Sequence, residues 1–218
     1  MGNTITVYHG SAYIVESPKY GTGRTTNDYG LGFYLTENKS LAGEWAVLWT
    51  GTDGYINEYK LNLEGLRIAN LDQLPIESWI STLMVNRKGE YADELQERLA
   101  QFVAKFGVDL SPYDVIKGYR ANDAFFRYVE AFTIGVLSKE NLMSAMKLGD
   151  LGMQICLKSR ESFQAVQFVA SSRASAEVYH RAAQDRDASA RRQYRLMPNK
   201  GTGTTIFDML REDYHAGL

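Results

Sequence analysis

His9 closes a run in which Ile5 and Val7 alternate with polar residues, and Gly10 and Ser11 follow it directly. An imidazole at a strand end can bond a ligand hydroxyl, and a glycine beside it leaves backbone N–H and C=O groups open to close approach. Tyr34 and Trp45 stand eleven residues apart and offer two faces of the kind that hold a planar ring by stacking. Between His9 and Tyr34, Arg24 lies in a Gly- and Thr-rich stretch and carries the forked donors that suit a phosphate. Far along the chain, Gln154 alternates with Met153 and Ile155 and so faces the opposite side of a strand.

The common catalytic patterns are missing. Gly21-Thr22-Gly23 and Gly30-Leu31-Gly32 each lack the third glycine of a dinucleotide fingerprint, and no phosphate-loop, H-E-x-x-H or G-x-S-x-G motif occurs. Three histidines, His9, His180 and His215, with one cysteine, Cys156, do not make a multi-histidine or thiolate metal site. No metal is expected. The lone thiol cannot close an internal disulfide, which suits a reduced compartment.

The elements that must position these residues follow from pattern. Thr4–Tyr8 reads as a strand, and residues 16–32 as a long loop. A helix is expected from about Lys39, with Leu41, Trp45, Leu48 and Trp49 on one face. Tyr55–Leu63 alternates as a strand, and Gly65–Leu71 is expected to continue it or to form its hairpin partner. Pro75 opens one helix and Gly107 closes a second; Tyr113–Gly118 reads as a strand. Ala121-Asn122-Asp123 and Ser138 offer starts for two more helices. Met153–Leu157 and Phe163–Val169 are strands, Arg173–Arg195 an arginine-rich helix, and Ile206–Leu210 a short amphipathic piece. The fold class is therefore α+β, with helical insertions at about 73–107 and 121–148.

The chain has 218 residues, 44% hydrophobic and 23% charged, which excludes a disordered or fibrous protein. Its 24 basic and 26 acidic residues leave a net charge of −2, which argues against binding nucleic acid through bulk charge. Met1–Gly10 lacks the features of a signal peptide, and no apolar run is long enough to span a membrane, so no membrane partner is expected.

The ordered set Tyr8-His9-Gly10-Ser11, then Gly30, Gly32 and Tyr34, then Trp45 resembles the core of the ADP-ribosyltransferase superfamily, in the branch built on a His-Tyr-Glu triad. The longer run, with Gly23-Arg24 and Asn27-Asp28-Tyr29 ahead of Gly32-Phe33-Tyr34-Leu35-Thr36, together with Ala121-Asn122-Asp123 and Gln154-Ile155-Cys156, is similar to bacterial members of toxin–antitoxin and phage-defence type. The resemblance covers roughly residues 4–170. It implies two split, antiparallel sheets around an NAD cleft in residues 1–170, with 171–218 as a helical appendage packed on the same domain.

On that resemblance His9, Tyr34 and Gln154 are the catalytic set. His9, Gly10, Ser11, Arg24, Gly32, Phe33, Tyr34, Thr36 and Trp45 would bind NAD as co-substrate. The implied activity is mono-ADP-ribosyl transfer to a protein or nucleic-acid acceptor by a cytoplasmic bacterial toxin, or one delivered into a target cell, held by a cognate antitoxin. The sequence departs from the family at Gln154, where a glutamate is expected. Gln154 can orient a ribose hydroxyl but brings no charge to the cation that develops on the ribose. Two alternatives stay open: binding of NAD or ADP-ribose, or hydrolysis of NAD, without transfer; and a nucleic-acid role docked on Arg186, Arg191, Arg192 and Arg195.

Overall fold

The computed structural model describes residues 3–47, 51–87, 93–121, 123–146, 148, 152–198 and 200–214. Leu48, Trp49, Asn122 and His215, which figure in the sequence patterns, lie outside the described residues.

Two sheets form the centre. Strands β1 (Thr4–Ser11), β3 (Gly54–Asn62) and β7 (Val166–Ala174) make an antiparallel sheet in the order β1-β3-β7. Strands β2 (Phe33–Leu35), β4 (Ile68–Asn70), β5 (Val115–Tyr119) and β6 (Met153–Leu157) make a second sheet in the order β2-β6-β5-β4. Its pairs are antiparallel except β4 with β5, which run parallel. Val7, Leu35, Tyr59, Leu61, Val115, Ile155 and Leu157 form the apolar layer between the sheets.

Helix α1 (Lys39–Val47) covers the outer face of the first sheet, packing Ala42, Ala46 and Val47 against Ile56 and Ala174. The outer face of the second sheet carries α2 (Ile76–Asn86), α3 (Asp93–Phe106), α4 (Asp123–Thr133) and α5 (Lys139–Met146). Trp79, Ile80, Leu83, Phe102, Val129, Phe132 and Leu142 fill that second core together with Ile116 and Cys156 of the sheet. Because the second sheet is covered on both faces, four of the five β6 residues are buried whatever their parity. Helices α2, α3, α4 and α5 lie within the stretches 73–107 and 121–148 where helices are expected.

Three expectations change. Residues 65–71 form no hairpin with β3: Gly65 turns the chain at φ 77°, and β4 joins the other sheet beside β5. Phe163 lies in a short helix, α6 (Arg160–Gln164), because Ser159 and Ser162 form a reciprocal capping box. Strand β7 consequently starts at Val166 and extends through Arg173, which pairs with Asp53 at 2.6 Å. Helix α7 (Ala176–Leu196) then begins at Ala176, three residues later than expected.

The expected boundary at residue 170 falls inside β7, so the C-terminal segment is continuous with the first sheet. Tyr179 of α7 packs against Gly43 of α1, and Ile206 and Met209 of α8 (Ile206–Met209) are buried in the helical core.

Candidate functional site

A cleft of about 980 Å³ lies where the end of β1, β2 and the 12–32 loop meet α1, the end of α2 and the end of β5. His9, Gly10, Ser11, Arg24, Gly32, Phe33, Tyr34, Trp45 and Gln154 all line it. Residues spread from position 9 to position 154 thus reach one cavity. Thr36 does not: it is buried, its N–H and C=O pair with Tyr8, and its Oγ1 accepts the Asn38 N–H at the start of α1. Thr36 joins the sheets rather than facing a ligand.

The His9 Nδ1 lies 2.8 Å from the Tyr34 carbonyl oxygen. A carbonyl only accepts, so Nδ1 carries the proton, and the neutral ring keeps Nε2 as an acceptor. Burial lowers the His9 pKa below its ordinary value, opposed in part by the bond to Tyr34. His9 therefore stands neutral at pH 7 and packs on Phe33, ring centroids 4.4 Å apart.

Gly10 has two reasons to be glycine. Tyr8 uses its N–H and C=O on the outer edge of β1, toward Thr36, and strand groups alternate sides, so those of Gly10 also face that edge, along the cleft. A Cβ at this position would collide with the Ala42 carbonyl of α1. Ser11 is tied locally: its Oγ donates to the Tyr13 carbonyl at 2.6 Å and accepts from Asn57 Nδ2 at 3.0 Å. Asn57 is itself buried and accepts the Val15 N–H, which pins the start of the long loop. The Tyr59 hydroxyl, donating to the Val15 carbonyl, does the same.

Tyr34 donates its hydroxyl to the Gly30 carbonyl at 2.7 Å and accepts the Tyr29 N–H at 3.0 Å. Burial pushes its pKa well up, so the phenol stays protonated and acts as a fixed wall. Gly32 permits this approach, since a Cβ there would meet the Cys156 sulfur and the Leu157 carbonyl of β6. The Cys156 thiol is buried and pushed up to about 12, which removes it as a nucleophile.

Gln154 is 4% exposed and gives its Nε2 to two acceptors, Asp28 Oδ2 at 2.6 Å and the Tyr119 carbonyl at 3.2 Å. Asp28, also 4% exposed, accepts the Ala121 N–H at 2.8 Å on the same oxygen. Its other oxygen lies 2.5 Å from Arg87 Nε, an ion pair whose N–H is not aligned for a hydrogen bond. Arg87, just past the end of α2, also donates to the Ala121 carbonyl at 2.7 Å. Arg120 sits over the Trp45 ring, Cζ to centroid 5.1 Å. Burial pushes its pKa down to about 10, although Asp28 and Glu44 pull it up.

Asp28, Arg87 and Arg120 are the site residues that sequence reasoning missed. Asp28 sits inside the motif that carried the resemblance, so it was within reach. The two arginines gave no signal, because each flanks an element end and acquires meaning only from partners far away in sequence.

The surface expected to dock nucleic acid is partly consumed. Arg186 is held by the buried Glu44 at 2.9 Å and Arg191 by Asp187 at 2.7 Å. Among the described residues no helix is long and apolar enough to cross a membrane.

A family model described as protein of unknown function, DUF3990, matches residues 5–168, a span that contains every cleft-lining residue. Comparison with curated proteins and with solved structures finds no match.

Proposed function

The chain belongs to this DUF3990 family, and we propose that it is an NAD-dependent mono-ADP-ribosyltransferase whose site is the cleft between the two sheets. The observation that carries the proposal is the convergence of His9, Gly10, Tyr34, Trp45 and Gln154 on one cavity. They come from β1, β2, α1 and β6, so four separate elements of the chain each contribute to its lining.

The donors and acceptors on the walls suit NAD. His9 Nε2 is an acceptor for a ribose hydroxyl, and the free edge at Gly10 offers an N–H and a C=O to a carboxamide. The Tyr34 ring supplies a flat apolar face, and Arg24 on the loop supplies charge for a pyrophosphate. As substrate, NAD contributes a nicotinamide–ribose bond that breaks with its electron pair leaving on nicotinamide. The acceptor's nucleophilic atom bonds the same ribose carbon and loses its proton to solvent. What the protein supplies is orientation, a dry wall and an acceptor at the ribose. A bacterial toxin or defence role, with a macromolecular acceptor and a cognate antitoxin, belongs to the same proposal.

One observation favours a second reading, binding of NAD or ADP-ribose without transfer. The floor of the cleft pairs its buried carboxylate, Asp28, with Arg87 and adds a second cation, Arg120. Net positive charge there suits a bound anion better than a developing cation.

Incubation of the purified protein with NAD, with nicotinamide measured, decides between them. Release that His9→Ala abolishes supports transfer or hydrolysis. Binding seen by calorimetry without release supports the second reading. Neither release nor binding overturns both.

A further inference from the structure

The contacts of Gln154 fix which way its amide points. Asp28 Oδ2 and the Tyr119 carbonyl are both acceptors, so the group facing them at 2.6 and 3.2 Å must be the NH2. The carbonyl oxygen Oε1 is left as the amide's face toward the cleft that Gln154 lines. Were the amide free to flip, it would present a donor or an acceptor to a ligand with similar ease. Asp28 removes that freedom, since a carboxylate cannot face a carbonyl without losing its hydrogen bond.

Asp28 is held just as firmly. Its Oδ2 takes the Ala121 N–H as well as Gln154, and Arg87 covers Oδ1. Its own backbone carbonyl accepts from Asn86 Nδ2 at 3.2 Å. The carboxylate is thus built into the ends of α2 and β5 before any ligand arrives.

We propose that Asp28 is a positioning residue that makes Gln154 serve where a glutamate would. It locks the amide so that Oε1 accepts a ribose hydroxyl, and it polarises that amide through a charge-assisted hydrogen bond. The negative charge sits one side chain back from the ligand, and Gln154 relays it. A glutamate at position 154 would meet Asp28 at hydrogen-bond distance, and two carboxylates hold that distance only with a proton between them. The departure at Gln154 is then a consequence of Asp28, not a loss of function. This inference rests on the NAD reading.

The test is a charge swap, comparing wild type, Asp28→Asn, Gln154→Ala, Gln154→Glu and the double variant Asp28→Asn/Gln154→Glu. Nicotinamide release should fall by a factor on the order of a hundred in Asp28→Asn and Gln154→Ala, mainly in kcat. Gln154→Glu should be poor at pH 8 and recover as pH falls and the shared proton is retained. The double variant, which returns one charge and one amide to the pair, should recover to within about tenfold of wild type with no such pH dependence.

A second readout needs no activity. In Gln154→Glu the shared proton raises a carboxyl pKa in the folded state, so its melting temperature, taken relative to wild type at each pH, should drop as pH rises from 5 to 8. The drop should be absent from the double variant. The charged and titratable groups around this position are Asp28, Arg87 and Arg120, with the Tyr29 phenol on the same cluster and His9 lining the same cleft, and all five are common to wild type and Gln154→Glu.

Wild-type release together with Asp28→Asn at full kcat and a native melt overturns the inference alone. So does a double variant no better than its parents, or a Gln154→Glu melt that shows no pH-dependent drop relative to wild type. Wild-type protein that neither binds nor cleaves NAD overturns the inference together with the NAD reading.

Discussion

The Arg120 guanidinium lies over the Trp45 indole, its Cζ 5.1 Å from the ring centroid, on one wall of the cleft. Among the described residues no carboxylate forms an ion pair with it, since Asp28 is taken by Arg87 and Glu44 by Arg186. The Trp45 N–H is buried beside it without a hydrogen-bond partner among those residues. A partly buried cation without an acceptor is poor value for folding and good value for an anionic ligand.

Replacing it should therefore separate the two. In Arg120→Met the lost cation–π contact is worth about 0.5–2 kcal/mol, offset by relief of the desolvated charge, so the melt should stay within a few degrees of wild type. Affinity for ADP-ribose, read by calorimetry, should fall about tenfold or more, the cost of one charge-assisted hydrogen bond. A melt that collapses would make Arg120 structural. Unchanged affinity would remove it from the site.

Gly10→Ala tests the closeness of α1 to β1. The added methyl would run into the Ala42 carbonyl and lie 2.7 Å from the Ala46 N–H, both backbone atoms that a rotamer change cannot move. Overpacking of this kind costs about 1–3 kcal/mol or more, which for a chain of this size is a melting shift of roughly 2–12 °C or more. Gly65→Ala is the contrast, with open space around its Cβ but φ at 77°, so it should lose only the left-handed strain.

What was legible in the sequence were the features set by local chemistry. Pro75 opens α2, Gly107 follows α3 directly, and Ile5 and Val7 mark β1, because caps and alternation act within a few residues. The cleft wall was legible too, because His9, Tyr34 and Trp45 carry their spacing with them. The parallel pairing of β4 with β5 was not, since Ile68 meets Val115 across 47 residues and three residues hold no period. The role of Asp28 was not legible for a similar reason: its partners Gln154, Ala121 and Arg87 lie 126, 93 and 59 residues away. The α6 capping box was readable, yet Phe163 and Val169 outweighed it in an apolar run.

His9 predicts a pH dependence with a definite sign. Its folded pKa lies below the ordinary 6.5, so the unfolded chain takes up the proton first as pH falls. Stability should therefore decline from about pH 7 toward acid and level off once the folded imidazole is also charged. Ligand binding should fall in parallel, because protonation turns the Nε2 acceptor into a donor. His9→Asn should remove this part of the pH dependence of the melt. A wild-type melt flat between pH 7 and 5, once compared with His9→Asn, would mean that the imidazole is not held neutral by burial.

Glu44 and Arg186 predict which face of α7 matters. The Glu44 carboxylate is 2% exposed and receives Arg186 Nε and Nη2 at 2.9–3.3 Å, so α7 is bolted to α1, the helix that carries Trp45. Removing one partner strands a buried charge, at a cost of about 3–5 kcal/mol. Arg186→Ala should lower the melting temperature by roughly 6–20 °C and loosen the Trp45 wall, reducing ligand affinity. Arg192→Ala, on the exposed side of the same helix, should leave both unchanged. If α7 were a docking surface for nucleic acid, the pattern would reverse: Arg192→Ala would weaken salt-dependent binding, and Arg186→Ala would matter no more than its neighbours.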